Sequence, residues 1–598
     1  MNRTALQGRA PLLRSLAAGL LASVAWTASG WAQENGLIVA QTESRSVAQA
    51  AEPQGGPVTA DPAASATPEP PTTAAEAAAP VPDPVPPAIE TALAAAGAYG
   101  KADHKALADF YAERGFLPLW IADGRFDGAA RAVIRRLENA DAYGLDPSRY
   151  ALPPIDVGIS GGATPADLAG AELDLTAAAL KFAADAQGGI FDPATLGKFM
   201  SATPVRPKRE AVLAGLGTAN DKVAYLEGFN PPQPGFKALK KLLADLKARA
   251  GQRALPEIPE GPSLKPGMID ERLPVLRIRL GLPEVAPPPL DSDMRAETDL
   301  SLIYDNAAVE AVKAFQQRAG LEVDGVIGPQ TRSALNGGSE VTIADVLVNM
   351  ERWRWVPRDM GTHHVWVNIP EYMLRVVTDG APEFETRVIV GTSENQTPIF
   401  SDEIEYVDVN PYWNVPRSIA VKEMMPEIRR DPYFFARRGL EVIYTGGGRD
   451  MVIDPRSVDW SLWDGETMPF RFRQPPGGEN ALGRVKFMFP NKHAVYLHDT
   501  PTRNLFGRSV RSFSHGCVRV DKPVEFADAL LSREEQLNGQ AIKHLIGGGA
   551  NGSLPLKRHV PVHLTYFTVW GDEAGGVQKR PDIYRYDARM KAAMGLGS

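Results

Sequence analysis

The sequence predicts a multidomain α+β protein, a helical first half followed by a mainly antiparallel sheet domain, and three observations carry that expectation. At 598 residues the chain is too long for one hydrophobic core. Between about Ala88 and Ala254 apolar residues recur at helical spacing and are interrupted by Gly, Asp and Pro breaks. After Thr342 the period falls to two, with Val365, Val367 and Ile369 alternating with Trp366 and Asn368.

Taken in order, the chain opens with Arg3, Arg9 and Arg14 before the uncharged run from Leu16 to Trp26 and small residues up to Ala32. This reads as an export signal over residues 1–32, cleaved to leave Gln33 first, with Ala28 a second possible site and an uncleaved anchor the competing reading. Residues 33–87 are rich in Ala, Pro, Thr and acidic side chains, with no aromatic residue from Gln41 to Pro87. Such a segment cannot bury a core and is expected to stay extended, as a tether or a passive tail. A helical domain is expected over 88–258, with helices around Lys105 to Tyr111 and Ala129 to Leu137. The next module, 265–337, has its clearest helix from Val309 to Ala319, with Val309, Val312, Phe315 and Ala319 on one face and Gly320 as C-terminal cap. A further helix starts at Pro329, where the missing N–H costs little. The sheet domain spans 342–570, with strands around 374–377, 387–390 and 404–409. An aromatic-rich insertion, 410–484, interrupts it and includes Tyr412 and Trp413, and 571–598 is expected as a tail.

Charge and cysteine content narrow the function classes. A net charge of -8 and a pI near 5.8 argue against nucleic acid as a partner. Cys517 is the sole cysteine, so no internal disulfide forms, and a lone thiol in an exported chain points to reactivity or intermolecular pairing. It lies in Ser514-His515-Gly516-Cys517-Val518-Arg519-Val520. A thiol of ordinary pKa needs a base or cationic neighbour to act as a nucleophile, and both His515 and His498 are candidates. His498 closes the alternating run Val495-Tyr496-Leu497-His498, which places Tyr496 and His498 on one strand face. Gly516, without a Cβ, lets a carbonyl approach the backbone, so N–H groups near Gly516 and Cys517 are candidates for an oxyanion hole. The competing readings are a buried cysteine acting as a small hydrophobe, and a zinc site from His498, His515 and Cys517. The second lacks a further clustered ligand, and no metal or organic cofactor is expected.

The pattern His498 followed by Ser514-His515-Gly516-Cys517-Val518-Arg519 resembles the signature of the YkuD-type L,D-transpeptidases, which cross-link bacterial peptidoglycan. The resemblance implies a β-sandwich catalytic fold, Cys517 as nucleophile, His498 as general base, and Ser514, His515 and Gly516 shaping the site and its oxyanion hole. It implies that Arg519 hydrogen-bonds a substrate carboxylate or the loop around the site. Residues Phe110 to Trp120 and Tyr143-Gly144-Leu145-Asp146-Pro147 resemble the scaffold domain of the large members. The stretch Ala314 to Thr331 resembles a three-helix peptidoglycan-binding module, and Met350 to Pro357 resembles the entry to the large catalytic domains. Asn410-Pro411-Tyr412-Trp413-Asn414-Val415-Pro416 resembles the start of their lid, which assigns Tyr412 and Trp413 to substrate contact. Peptidoglycan stem peptides, as donor and acceptor, and carbapenem inhibitors are the implied partners, with the periplasm as location and no transmembrane helix in the mature chain. An L,D-carboxypeptidase or cysteine peptidase shares the acyl-enzyme, and a non-catalytic wall-anchoring protein is the remaining alternative.

Overall fold

The computed structural model describes residues 83–597 apart from 96–98, 160, 250–254, 284, 286–298, 320, 339–340, 447–448, 465–466, 535–536 and 572–575. The export signal, most of the linker, most of the 283–290 insert, Gly320 and two glycines of the 446–448 run lie outside the described residues.

The helical region comprises α1 (Val85–Ala94), α2 (Lys101–Glu113), α3 (Gly128–Glu138), α4 (Pro165–Gly188), α5 (Arg209–Thr218), α6 (Lys222–Glu227) and α7 (Pro234–Arg249). Its first helix begins inside the expected linker, because Val85, Ile89 and Leu93 present one apolar stripe that is buried. The longest helix, α4, starts at a capping box in which Thr164 and Asp167 satisfy each other's backbone N–H groups. It supplies the core around which the others pack, including Leu173, Leu180 and Phe182.

A smaller unit follows, with α8 (Leu273–Leu280), α9 (Asn306–Ala319) and α10 (Pro329–Ser333) around Leu264, Leu276, Tyr304, Val309, Val312 and Ile327. Val309 and Val312 enter this core as the helical spacing predicts, and Phe315 packs at its edge.

Helix α11 (Ile343–Trp353), capped by Thr342 and Asp345, leads into the sheet and joins it to the helical region. Glu351 and Arg354 are a fully buried pair, 3.3 Å apart. Glu351 also accepts from Ile190 N at 2.7 Å, and Arg354 donates to Tyr143 O at 2.6 Å. The Met350 to Pro357 stretch is therefore a joint. Burying two charges is costly unless their remaining hydrogen bonds are met, and here the bonds to Ile190 and Tyr143 meet part of that need, with Arg354 Nε left without a partner among the described residues.

Among the described residues nine strands share one sheet: β1 (His363–Asn368), β2 (Met373–Thr378), β3 (Ala381–Gly391), β4 (Phe400–Val409), β5 (Val485–Met488), β6 (Leu497–His498), β7 (Ser512–Ser514), β8 (Val518–Val520) and β9 (Gly552–Thr565). Their order is β7-β3-β8-β6-β5-β4-β9-β1-β2, and β2 pairs with β3, so the sheet closes on itself. Most pairs are antiparallel, but β6–β8, β7–β3 and β9–β1 are parallel. Period-two alternation sends Val365, Val367, Val388, Val390, Leu497, Val518 and Val520 inward to the core, leaving the opposite face of the same strands for polar side chains. Two helices, α12 (Pro523–Leu530) and α13 (Gly539–Gly548), complete the packing through Phe526 and Ile542.

The described residues of the segment 571–598, expected as a tail, are folded. Val577–Lys579 pairs with Val569–Gly571, and α14 (Tyr586–Ala593) carries Tyr586 and Met590 into the sheet core. Lys579 and Lys591 both reach Asp345, and Arg352 reaches Asp587. Its aromatic and apolar residues bury enough surface to hold it there, a signal that a polar, glycine-containing stretch obscures in sequence.

The insertion 410–484 forms its own four-stranded sheet from Trp413–Asn414, Phe470–Gln474, Glu441–Tyr444 and Met451–Ile453. Its core includes Met425, Phe434, Phe435, Phe470 and Phe472.

Candidate active site

Strand register assembles the site. Lys486 on β5 is opposite His498 on β6, and His498 is opposite Arg519 on β8, so three polar side chains form one row across the sheet. Because side chains alternate, Tyr496 and Cys517 lie on the same face one step away, and Val518 N bonds to Tyr496 O at 3.1 Å. The inward-facing alternates Leu497, Val518 and Val520 anchor the strands in the core.

His498 is buried, and its Nδ1 lies 2.5 Å from Asp499 O. A carbonyl only accepts, so Nδ1 carries the proton and Nε2 of the neutral ring keeps its lone pair. Burial, with the charges of Arg519 and then Lys486, holds the imidazolium pKa down to about 3. The ring is neutral at physiological pH.

Cys517 is half-buried, and burial raises its thiol pKa, opposed by hydrogen bonds from Tyr496 and by the charges of Lys486 and Arg519. The Cys517 thiol and the His498 imidazole are therefore both neutral at rest.

The loop before Cys517 is held from behind. Gly516 has φ of 111°, a conformation that side chains rarely adopt. Its carbonyl accepts from Thr397 Oγ1 at 2.8 Å, while its N–H donates to Ser514 Oγ at 3.2 Å. Ser514 Oγ donates to Cys517 O at 2.5 Å, which makes the buried serine a brace for the turn. With the Gly516 amide so engaged, the Cys517 amide is the nearer candidate for an oxyanion donor. Thr397 in turn accepts from Gly391 N, and the Tyr584 hydroxyl bridges Gly391 O at 2.7 Å and Thr397 N at 3.2 Å.

His515 is exposed and turns away from the thiol row to Glu423 of the insertion, 2.7 Å from its Nε2. Arg519 sits beside Cys517 with its Nε buried and without a hydrogen-bond partner among the described residues. Arg503 and Arg511 are tied to backbone carbonyls, Arg503 also to Asp499, and Arg511 stacks on Tyr372. Tyr412 is exposed under the Arg473 guanidinium, 4.4 Å from the ring centre, whereas Trp413 packs against the insertion's own core.

The motif residues on the strands thus come together, and Trp413 does not join them. Lys486, Tyr496, Thr397 and Tyr584 are the additions. Only Tyr496 carried a signal in the sequence, through its alternation with His498. No group of three or more His, Cys, Asp or Glu among the described residues is placed to hold a metal ion.

Comparison with known proteins finds three domains. The scaffold domain model matches residues 105–243, the L,D-transpeptidase catalytic domain model 362–540, and a model described as "Putative peptidoglycan binding domain" 295–335. A Haemophilus influenzae (strain ATCC 51907 / DSM 11121 / KW20 / Rd) protein named "Putative L,D-transpeptidase" is 37% identical over 247 residues, covering 41% of this chain and 48% of its own. The chain thus spans about half the length of that curated relative. Among solved structures, the Ldtfm-avibactam carbamoyl enzyme aligns over 34% of this chain and 49% of its own at 11% identity, with a TM-score of 0.17. An L,D-transpeptidase from Xylanimonas cellulosilytica DSM 15894 aligns over 52% of this chain and 100% of its own at 17% identity, with a TM-score of 0.14. At these scores neither alignment enters the argument.

Proposed function

We propose that this chain, which carries an L,D-transpeptidase catalytic domain with scaffold and peptidoglycan-binding domains, forms 3-3 cross-links in peptidoglycan through a cysteine acyl-enzyme. The observation that supports the reading is a neutral His498, its Nδ1 held by Asp499 O, on the strand adjacent to the one that follows Cys517 and one step out of register with the thiol.

His498 Nε2 takes the thiol proton as Cys517 Sγ bonds to the carbonyl carbon between the third stem residue and the terminal D-alanine. The oxyanion is met by the backbone at Cys517, and collapse breaks the C–N bond. D-alanine leaves with the proton from His498, and a thioester remains. An acceptor amine then attacks the thioester carbonyl, passes a proton to His498, and the restored thiolate takes it back. The half-buried Arg519, whose buried Nε has no hydrogen-bond partner among the described residues, suits a stem carboxylate. Tyr412 is exposed where a stem could touch it. Insertion 410–484 acts as a lid, supported by the Glu423 contact with His515.

Export by the N-terminal signal places the enzyme in the periplasm, with stem peptides as partners and carbapenems as acylating inhibitors of Cys517. Among the described residues no helix is long and apolar enough to cross a membrane. Mass spectrometry of purified stem tetrapeptides incubated with the chain tests the reading. Cross-linked dimers that disappear in Cys517→Ala are expected, and dimers that persist would overturn the mechanism. Tripeptide alone, even with excess acceptor amine, would identify an L,D-carboxypeptidase.

A further inference from the structure

A second cleft, of about 870 Å³, lies between the start of α7, the end of α11 and the outer faces of β1 to β3. None of the thiol-row residues lines it. Its volume falls within the range of small-ligand sites, and it sits where two domains meet, a common place for them. We propose that this cleft binds a neutral N-acetylated sugar of a glycan strand. The choice of an N-acetylated sugar rests on the peptidoglycan reading above, whereas the argument for a neutral saccharide does not.

One wall is a pile of aromatic rings. Trp366 stacks on Trp353 at 22° with ring centres 5.5 Å apart and on Phe567 at 17° and 5.6 Å. Trp366 and Trp570 remain half-exposed at the cleft, Trp570 with the Arg580 guanidinium over one side of its ring at 5.2 Å, so the ring surface left uncovered is offered to the C–H face of a pyranose. Beside Trp366 in the same cross-strand row the lining turns polar, Trp366 pairing with Arg375 and Arg375 with Glu385. Arg375 is forked on Glu371 at 2.8 and 2.6 Å and lies 3.3 Å from Glu385, which fixes acceptors and donors before a ligand arrives.

Two further lining side chains narrow the chemistry. Gln233 and Trp353 are each 8% exposed, and Gln233 Oε1 and Trp353 Nε1 are buried without hydrogen-bond partners among the described residues. One is an acceptor and the other a donor. A protonated amine or guanidinium supplies only donors, a quaternary ammonium neither donors nor acceptors, and a carboxylate only acceptors, whereas hydroxyl and acetamido groups supply both. Glu371, Glu383 and Glu385 against the one Arg375 also disfavour an anionic stem peptide here.

The cleft is also well placed. Glu385 precedes Ile389 by four residues on β3, and Ile389 pairs with Arg519, so the two sites are separated by about 14 Å along one strand. A glycan strand seated in the cleft would carry its stems towards the thiol row.

The test uses the full Cys517→Ala chain and N,N′,N″-triacetylchitotriose, followed by calorimetry and tryptophan fluorescence. Saturable binding is expected, with Trp366→Ala and Trp570→Ala each weakening it about tenfold at unchanged circular dichroism. If Trp366→Ala does not fold, Trp570→Ala and Glu385→Gln carry the comparison. No saturable binding, binding that the variants retain, or displacement of the sugar by tetramethylammonium overturns the proposal. Because the thiol is absent from this measurement, sugar binding by a chain whose wild-type form fails to cross-link stems would refute the proposed reaction and leave the cleft assignment standing.

Discussion

At the scale of single residues, the pKa directions at the thiol row bear on how Cys517, the proposed nucleophile, gives up its proton. Cys517 is held above the ordinary thiol range and His498 far below the ordinary histidine range, so a resting thiolate-imidazolium pair is disfavoured and deprotonation accompanies attack. The rate of iodoacetamide labelling of Cys517 is therefore expected to rise continuously with pH through neutrality and beyond pH 9. A labelling plateau between pH 4 and 7 would instead reveal a preformed ion pair. Acylation by a stem peptide should fall at least ~10²-fold in His498→Ala, measured by single-turnover kinetics, with His515→Ala affecting it less. The reverse order would move the base to His515. The local run from Ser514 to Arg519 was legible because its members are adjacent in the chain. Lys486 was not, since only the β5–β6 register brings it opposite His498. Trp413 packs, partly buried, against the insertion's own core, and an aromatic residue beside a cleft and one against a small core look alike in sequence.

At the scale of elements, the two ends of the insertion, the proposed lid, leave and rejoin the sheet side by side. Asn410 N donates to Arg484 O at 2.8 Å, and the strands on either side pair directly, Val409 with Val485. Asn410 also caps the end of α13 through Leu545 O and Ala550 O, both at 3.1 Å. Asp499, next to His498, accepts from Arg484 N at 2.8 Å and so ties the returning lid strand to the histidine. Replacing 411–483 by a short Gly-Ser loop should close β4 and β5 into a hairpin. Cys517 should keep its reactivity towards small thiol reagents, and the ratio of transpeptidation to hydrolysis should drop. An unchanged ratio, read by product mass spectrometry, would make the insertion a surface subdomain. The alternation in β1 to β4 made the sheet legible, and helical spacing did the same for α2, α3 and α9. The parallel pairings of β6–β8 and β9–β1 were not, because hydrophobic period reports which face is buried and is silent about strand direction.

For the whole molecule, buried neutral histidines govern the acid limb of stability. Burial pushes His498 down to about 3 and His563 to about 4, and lowers His364 as well. Below the ordinary value of 6.5 the unfolded chain binds protons that the folded one refuses, so their contribution is complete above 6.5 and is lost as pH falls towards 4 and 3. Glu172, raised to about 6 by burial, acts in the opposite sense, its contribution disappearing as pH rises from 4.5 to 6. Glu351 and Asp499, also raised by burial, act in the sense of Glu172, while Asp345, lowered to about 2, acts with the three histidines, and calorimetry should find a melting temperature that declines from pH 6.5 to pH 4. Glu351→Ala should cost about 3–5 kcal/mol by stranding Arg354, read from chemical unfolding, and a loss under 1 kcal/mol would dismiss the joint. The α+β class was legible from the change of period at Thr342, whereas the folded 571–598 segment was not. That segment has a consequence in time. A chain is made from its N-terminus, so Cys517 leaves the ribosome well before Tyr584, whose hydroxyl holds Gly391 and Thr397 and through them Gly516. Until Tyr584 arrives the turn before the thiol lacks this support, and a nascent chain, or one terminated before it, carries Cys517 on an unbraced turn.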